Sequence, residues 1–475
     1  MDILGRRVKA WPRMRSSRRT MTHLKTLCRL VLVPFAGTAC CLLSAVTAAQ
    51  AGPLGLKFDF SAGPAKPGFA RVLPKHLYSD ETGYGFEPGA KVATGDNGET
   101  TTSNRPFSFS AKVPEGNYNV TVTFGDSAMA TSTTVKAEAG RLMLERIEVP
   151  AGEVAERTFT TSVRTPHLPE VPMNAPGRDA VTLDKFDGGN ARDWDDKLTI
   201  EIVSPHAALR SIEITAAPET PTVFIAGDST VTDRDGGDDV SWGQLLPRFF
   251  NPGVAVANEA QSGETLKSFA NALRLDKILS QMKKGDYLFI QFGHNDSKRA
   301  WPQTYVDPET TYKAYLKVYI AEARLRGATP VLVTPMDRAV RGTGAPARSL
   351  GSYPEAMRDV AREENVALID LNRMSDVFYG SAGTDAAKIL ADGTHSTAYG
   401  GYEFAKCIVT GIKQNKLALA AFIVDDFKDF DPAHPDSAAA LDLAPLFSRD
   451  DGEHGGTAPG EKSPAGAANP GPGPL

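Results

Sequence analysis

The sequence predicts an all-β sandwich followed by a three-layer α/β domain of the flavodoxin-like kind, built on a five-stranded parallel sheet. Three observations carry that prediction. Between residues 56 and 217 short stretches alternate apolar with polar and are separated by turn residues, the period of half-buried strands. From residue 222 onward the texture changes to solid apolar runs of strand length alternating with helical patterns, as parallel strands buried on both faces require. Between the two lies Pro218-Glu219-Thr220-Pro221, a stiff linker. With 475 residues, 41% of them hydrophobic, the chain has material for two sizeable cores.

The first 51 residues carry nine Lys/Arg and one acid, then an apolar run over 30–48 interrupted by Pro34, then Ala49-Gln50-Ala51 before Gly52. That is the layout of a secretory signal peptide with a small-residue cleavage site, and the apolar core is short for a membrane span. A secreted or periplasmic location is therefore expected, with no stable membrane insertion after cleavage. Loss of the leader takes the formal charge from −5 to −13, which argues against nucleic acid as a partner. Cys28, Cys40 and Cys41 leave with it, so Cys407 has no partner for an internal disulfide.

In the β-rich part, residues 107–113 alternate, Pro114-Glu115-Gly116-Asn117 makes a turn, and 118–124 alternate again, the signature of a meander. Further strands are expected at 144–149 and 198–203, with 209–214 closing the unit. Phe69, Tyr78, Tyr84 and Phe86 in the early loops either stack on sugar rings or cap the sandwich core.

In the second part, strands are expected at 222–226, 254–257, 287–292, 330–334 and 366–371. The clearest helix carries Tyr312, Tyr315, Leu316, Tyr319 and Ala323 on one face. A last helix, with Phe404, Ile408 and Ile412 four apart, ends before Asn415, and the domain is expected to close near residue 421. An acidic stretch at 425–431 and a Gly/Pro/Ala-rich tail at 449–475 follow, the tail too poor in apolar residues to fold.

Chemistry concentrates at four strand ends. After the first comes Gly227-Asp228-Ser229-Thr230, where Ser229 is placed as a nucleophile in the crevice at the carboxyl ends of the strands. The same residues also suit a helix N-cap. A second Gly-Asp-Ser, at 125–127, lies in the β-rich part without downstream partners and reads as a hairpin turn. After the second strand Gly263 can bring a bare N–H to a substrate oxygen, and after the third Asn295 offers an amide donor for an oxyanion, with His294 or Asp296 orienting the loop. The fourth stretch, Asp392-Gly393-Thr394-His395, supplies an imidazole base and a carboxylate to hold its tautomer. Asp431-Pro432-Ala433-His434 repeats that spacing outside the α/β region and reads as a solvated segment.

Four blocks in the order Ser, Gly, Asn, Asp-x-x-His resemble the SGNH/GDSL hydrolase superfamily over about residues 222–415. More narrowly, Lys284-Gly285-Asp286-Tyr287, Gly293-His294-Asn295-Asp296, Leu332-Val333-Thr334-Pro335 and Leu368-Ile369-Asp370-Leu371 look like rhamnogalacturonan acetylesterases. Phe58-Asp59-Phe60 and Gly83-Tyr84-Gly85-Phe86 resemble the galactose-binding-like β-unit that precedes such domains in bacterial relatives. The resemblance implies a serine esterase without metal or organic cofactor. Ser229, Asp392 and His395 would be the catalytic triad, and Ser229, Gly263 and Asn295 the oxyanion donors. Its substrate would be an acetylated plant cell-wall polysaccharide, rhamnogalacturonan first, with acetylxylan or a simple ester as alternatives. Asp228, His294, Lys298, Arg299 and Arg338 are the candidate substrate contacts. Glu264 stands where relatives often have a basic residue, a departure from the pattern. A carbohydrate-binding protein with a vestigial hydrolase domain is the alternative outside enzymes.

Overall fold

A computed structural model describes residues 55–447 except 174, 176, 184–192, 235–238 and 342. The expected leader at 1–51 and the expected unfolded tail at 449–475 lie outside the described residues. In chain order the β-rich region contains β1 (Gly55–Asp59), β2 (Ala70–Arg71), β3 (Tyr84–Phe86), β4 (Ala93–Thr94), β5 (Thr101–Ser103) and β6 (Phe107–Lys112). It continues with β7 (Gly116–Phe124), β8 (Thr131–Ala137), β9 (Arg141–Val149), β10 (Ala155–Val163), β11 (Lys197–Val203) and β12 (Ala207–Ala216). One sheet runs β10-β7-β12-β1-β2, with β5 also pairing β12, and the other runs β3-β6-β11-β8-β9. Phe58 and Val120 from the first sheet and Phe109, Val135 and Ile200 from the second are buried in one core cluster. Phe58 meets Phe109 edge to face at 4.9 Å.

The expected meander is corrected by this pairing. Strands β6 and β7 belong to different sheets, so Pro114–Gly116 carries the chain across the core rather than around a hairpin. The same holds for Gly125-Asp126-Ser127, which lies between β7 in one sheet and β8 in the other. Alternation fixes which face of a strand is buried and says nothing of its neighbour. Of the four loop aromatics, Phe86 is fully buried and Tyr84 packs on Phe58, so both serve the core. Phe69 and Tyr78 are half-buried beneath lysine ammonium groups, Lys57 over Phe69 and Lys197 over Tyr78.

The second region is built on β13 (Thr222–Gly227), β14 (Ala255–Asn258), β15 (Tyr287–Gln291), β16 (Thr329–Val333) and β17 (Ala367–Ile369). Every pair is parallel and the order is β14-β13-β15-β16-β17, so the strand order reverses beside β13. Val223 and Ile225 face one core cluster and Phe224 and Ala226 the other, which explains the solid apolar run. The second of these cores is closed by α4 (Thr311–Leu325) and α5 (Tyr353–Glu364), which follow α1 (Trp242–Leu245), α2 (Leu266–Asn271) and α3 (Arg274–Gln281). The first is closed by α6 (Leu371–Ser381), α7 (Ala398–Gln414) and Trp242. Beyond residue 421 the chain keeps packing: Leu443, Leu446 and Phe447 are buried on this core, and Arg248 pairs with Asp426 at 2.7 Å. Among the described residues no helix is long and apolar enough to cross a membrane.

Candidate active site

The candidate site begins where β13 ends. Gly227 leaves little room here: a Cβ would stand 3.0 Å from Val231 and 3.2 Å from the Gln291 carbonyl oxygen. After it the chain makes one turn, in which the N–H groups of Val231 and Thr232 donate to the Asp228 carbonyl, and no helix starts at Ser229. That sets aside the N-cap reading. The turn leaves Ser229 partly exposed while Asp228 and Thr230 on either side are buried.

His395 reaches Ser229 from the loop before α7. Its Nε2 lies 2.9 Å from Ser229 Oγ and its Nδ1 lies 2.8 Å from Asp392 Oδ2. Asp392 Oδ1 accepts the backbone N–H groups of Thr394 and His395, each at 2.8 Å, so one carboxylate both folds the loop and orients the ring. Partial burial works against its charge. The hydrogen bond and charge of His395, with the two N–H groups, outweigh that and hold the Asp392 carboxyl well below the usual carboxylate range. With Nδ1–H donated to Asp392, Nε2 presents its lone pair to the serine hydroxyl. His434 and Asp431, 3.0 Å apart, form a similar pair, but the His434 side chain is 84% exposed.

The other two loops come in from β14 and β15. The Gln261 N–H donates to the Gly227 carbonyl, which seats the Gly263 loop against the Ser229 turn. Gly263 is exposed, has φ +82°, and has nothing within 4 Å of where a Cβ would stand. Asn295 donates one amide N–H to the Glu264 carbonyl at 3.1 Å and accepts from Lys298 Nζ at 2.7 Å, leaving its second N–H. Glu264 thus contributes a backbone oxygen to the Asn295 loop.

Asp228 and His294 do not stand where a substrate can touch them. They are 0% and 1% exposed and face each other across 3.5 Å, Asp228 Oδ2 to His294 Nδ1. The Asp228 carboxylate also accepts from the Thr230 N–H and hydroxyl, and His294 Nε2 donates to the Met336 carbonyl at 3.0 Å. Burial opposes the Asp228 charge, but the facing imidazole and the Thr230 donors win and its pKa is lowered. Burial likewise lowers that of His294. The expectation of substrate contacts is corrected: this pair supports the floor of the site. Arg338, part-buried, donates to the His294 carbonyl at 3.0 Å. Lys298 stands 4.7 Å over the ring of the half-exposed Trp301, and Arg299 stands 5.6 Å over Tyr305.

Several supporting groups were not anticipated. Arg234 donates to the Ser229 carbonyl at 3.2 Å. Gln291 bridges Thr230 Oγ1 and Trp242 Nε1 at 2.8 and 2.9 Å. The hydroxyls of Tyr312 and Tyr319 hold the Phe292 and Leu266 carbonyls, each at 2.8 Å, and that of Tyr353 holds the Asp296 carbonyl at 3.1 Å. Among the described residues no cluster of three or more His, Cys, Asp or Glu is placed to hold a metal ion.

With this geometry in view, residues 225–401 match the model of the GDSL-like Lipase/Acylhydrolase family. The chain is 39% identical over 212 residues to the probable rhamnogalacturonan acetylesterase YesY of Bacillus subtilis (strain 168), covering 43% of this chain and 98% of that one. It is 35% identical over 221 residues to the rhamnogalacturonan acetylesterase RhgT of the same organism, covering 42% and 94%. A longer match, 27% identical over 391 residues, covers 78% of this chain and 93% of the uncharacterized esterase YxiM, again of Bacillus subtilis.

Proposed function

Because the chain belongs to the GDSL/SGNH family of ester hydrolases, we propose that it is an exported serine esterase that removes acetyl groups from acetylated rhamnogalacturonan. The observation that carries this reading is the Ser229–His395–Asp392 relay, with contacts of 2.9 and 2.8 Å at a strand end on the sheet's switch point. His395 Nε2 takes the hydroxyl proton as Ser229 Oγ attacks the acetyl carbonyl carbon. The N–H groups of Ser229 and Gly263 and the free amide N–H of Asn295 receive the negative charge that forms on the carbonyl oxygen. Collapse breaks the bond to the sugar oxygen, which leaves with the proton from His395. Water, deprotonated by the same imidazole, then releases acetate from Ser229. None of these steps calls for a metal or organic cofactor.

The sugar is assigned from the relatives' names and from the cations beside the crevice. Lys298, Arg299 and Arg338 follow the Asn295 block and the fourth strand, and the half-exposed Trp301 lies under Lys298. An ammonium and an indole face suit an acidic pyranose. The basic, then apolar, then small-residue opening of the chain supports export, and the net negative charge speaks against a nucleic-acid partner.

Acetate release from acetylated rhamnogalacturonan, xylan and glucomannan, measured with the parent and Ser229→Ala, tests the proposal. The parent is expected to act on rhamnogalacturonan first and the variant on none. Preference for xylan overturns the substrate assignment, and turnover by Ser229→Ala overturns the nucleophile.

A further inference from the structure

A cluster of buried charges lies where the β-rich region meets the turn after Ser229. Arg141, the first residue of β9, is 0% exposed. Its guanidinium donates to Asp233 Oδ2 at 2.7 Å, to the Ser162 carbonyl at 2.9 Å and to Asp193 Oδ1 at 3.1 Å. Asp233 Oδ1 accepts in turn from Asn258 Nδ2, at 2.7 Å, at the end of β14. Arg164, 2% exposed, lies 3.4 Å from Asp193 and 3.9 Å from Glu259, and stacks 4.5 Å over Trp194. Glu259 is 0% exposed and begins the loop that leads to Gly263.

A second connection runs beside the first. Gln244 in α1 accepts from the Arg234 N–H at 3.3 Å and donates to the Arg234 carbonyl at 2.8 Å. The same amide nitrogen reaches the carbonyls of Ala139 and Gly140, both at 3.1 Å. The approach is close: a Cβ on Gly140, at φ +79°, would come within 2.7 Å of Gln244 Nε2. Arg234 is the residue that donates to the Ser229 carbonyl. Residues 139–141 and Arg164 of the β-rich region therefore bear, directly or through Gln244, on the short segment 229–234 and on the start of the Gly263 loop.

We infer that Arg141 and Arg164 are positioning residues of the hydrolase site: they hold Asp233 and Glu259, and through them set where Ser229 and Gly263 stand relative to each other and to His395. This rests on the assignment of Ser229 as nucleophile. The physical case is that a buried carboxylate must stay against its cation, because separating them leaves an uncompensated charge out of water. The loop is thereby denied the small displacements that an exposed turn takes freely. A misplacement of 1 Å between nucleophile and base costs about 10²-fold in rate. It follows that the β-rich region is needed for turnover of an ester far too small to touch it.

The experiment uses the full chain and 4-nitrophenyl acetate. Asp233→Asn keeps the shape and the Asn258 bond but removes one of the two carboxylate charges that Arg141 faces, the one on the Ser229 segment, and Arg141→Lys keeps the charge but loses the three-way fork. Lys406→Met, which breaks a buried pair with Glu403 on α7, serves as the stability control. Both test variants are expected to lose about 10- to 100-fold in kcat with KM within about threefold. Ser229 should react with a fluorophosphonate more slowly by the same factor, and a control with an equal fall in Tm should keep its kcat. Either variant, folded and within threefold of the parent in kcat and labelling rate, overturns the inference, as does a kcat loss in the control that matches its Tm. If the parent itself takes up no phosphonate at Ser229, it is the nucleophile assignment that fails.

Discussion

Replacing Asp392 by Asn tests the relay at the point where a single atom changes. Asp392 Oδ1 accepts two backbone N–H groups at 2.8 Å, whereas Oδ2 meets only His395 Nδ1, also at 2.8 Å. An asparagine keeps its one oxygen where two donors need it, and so turns its NH2 toward the imidazole. Two donors cannot face each other, so the ring moves its proton to Nε2. That proton then points at Ser229 Oγ, 2.9 Å away, and the lone pair that should accept the serine proton is gone. The loop keeps its fold while the base is lost, and kcat is expected to fall on the order of 10⁴-fold, about 5 kcal/mol, with KM little changed. Asp392→Ala should lose less in tautomer and more in fold: the side chain is 47% exposed, so water can enter and accept from Nδ1–H, but the Thr394 and His395 N–H groups lose their acceptor and Tm should fall. Initial rates with 4-nitrophenyl acetate, alongside circular dichroism and Tm, decide it. A folded Asp392→Asn protein that keeps more than a tenth of the parent kcat would refute the reasoning.

Asn295→Ala removes the amide donor and should lower kcat about 10²- to 10³-fold; a loss confined to KM would make Asn295 a substrate contact instead. Gly263→Ala meets no steric obstacle, since nothing lies within 4 Å, but at φ +82° the new side chain costs about 1–2 kcal/mol of backbone strain. The N–H itself is kept, so the strain acts by shifting it: Tm and kcat are expected to fall together, and a lowered Tm with kcat unaltered would show that turnover does not depend on where this N–H stands. Burial pushes the Asp296 carboxyl from 3.8 up to about 8, so the folded protein holds a proton that the unfolded chain releases across that range. Stability therefore falls as pH rises from about 4 to 8. Asp296→Asn, neutral throughout, should shrink the Tm difference between pH 5 and pH 8; an unchanged difference would mean that the carboxyl is already ionised at pH 5.

The strand ends of the α/β region were readable because parallel strands buried on both faces give solid apolar runs. The chemistry lies in the short polar stretches directly after them. Residues 222–226 and 287–292 were expected as strands, and the observed ones are Thr222–Gly227 and Tyr287–Gln291. The β-rich region was less readable. Strand β8, Thr-Ser-Thr-Thr-Val-Lys-Ala, is buried at six of seven positions yet looks like a polar loop. Its lysine is accommodated because Lys136 Nζ donates to the Leu446 carbonyl and stands 5.1 Å over Phe447, about 310 residues later in the chain. No local pattern carries information of that range. The tyrosines of α4 show the converse: their spacing correctly marked an apolar face, but gave no sign that Tyr312 and Tyr319 end in hydroxyls bonded to active-site loop carbonyls.

The buried charges had no signature in the sequence at all. Arg141 and Asp233 are 92 positions apart, and each by itself is a residue that belongs on a surface. Their burial becomes affordable only when the partner is in place, so the signal is a pairwise one and vanishes when residues are taken singly. This also bears on the Pro218–Pro221 linker, which reads as a boundary between independent units. Asn117 from the β-rich side donates to the Thr220 carbonyl at 3.3 Å and to Thr222 Oγ1 at 2.8 Å, and Lys277 from the α/β side pairs with Glu115 at 2.6 Å. A linker crossed by part-buried polar contacts on both sides is not a hinge. Cutting the chain at residue 218 would expose Arg141, Asp233 and Glu259 together, which is why the two halves are expected to fold and work as one body.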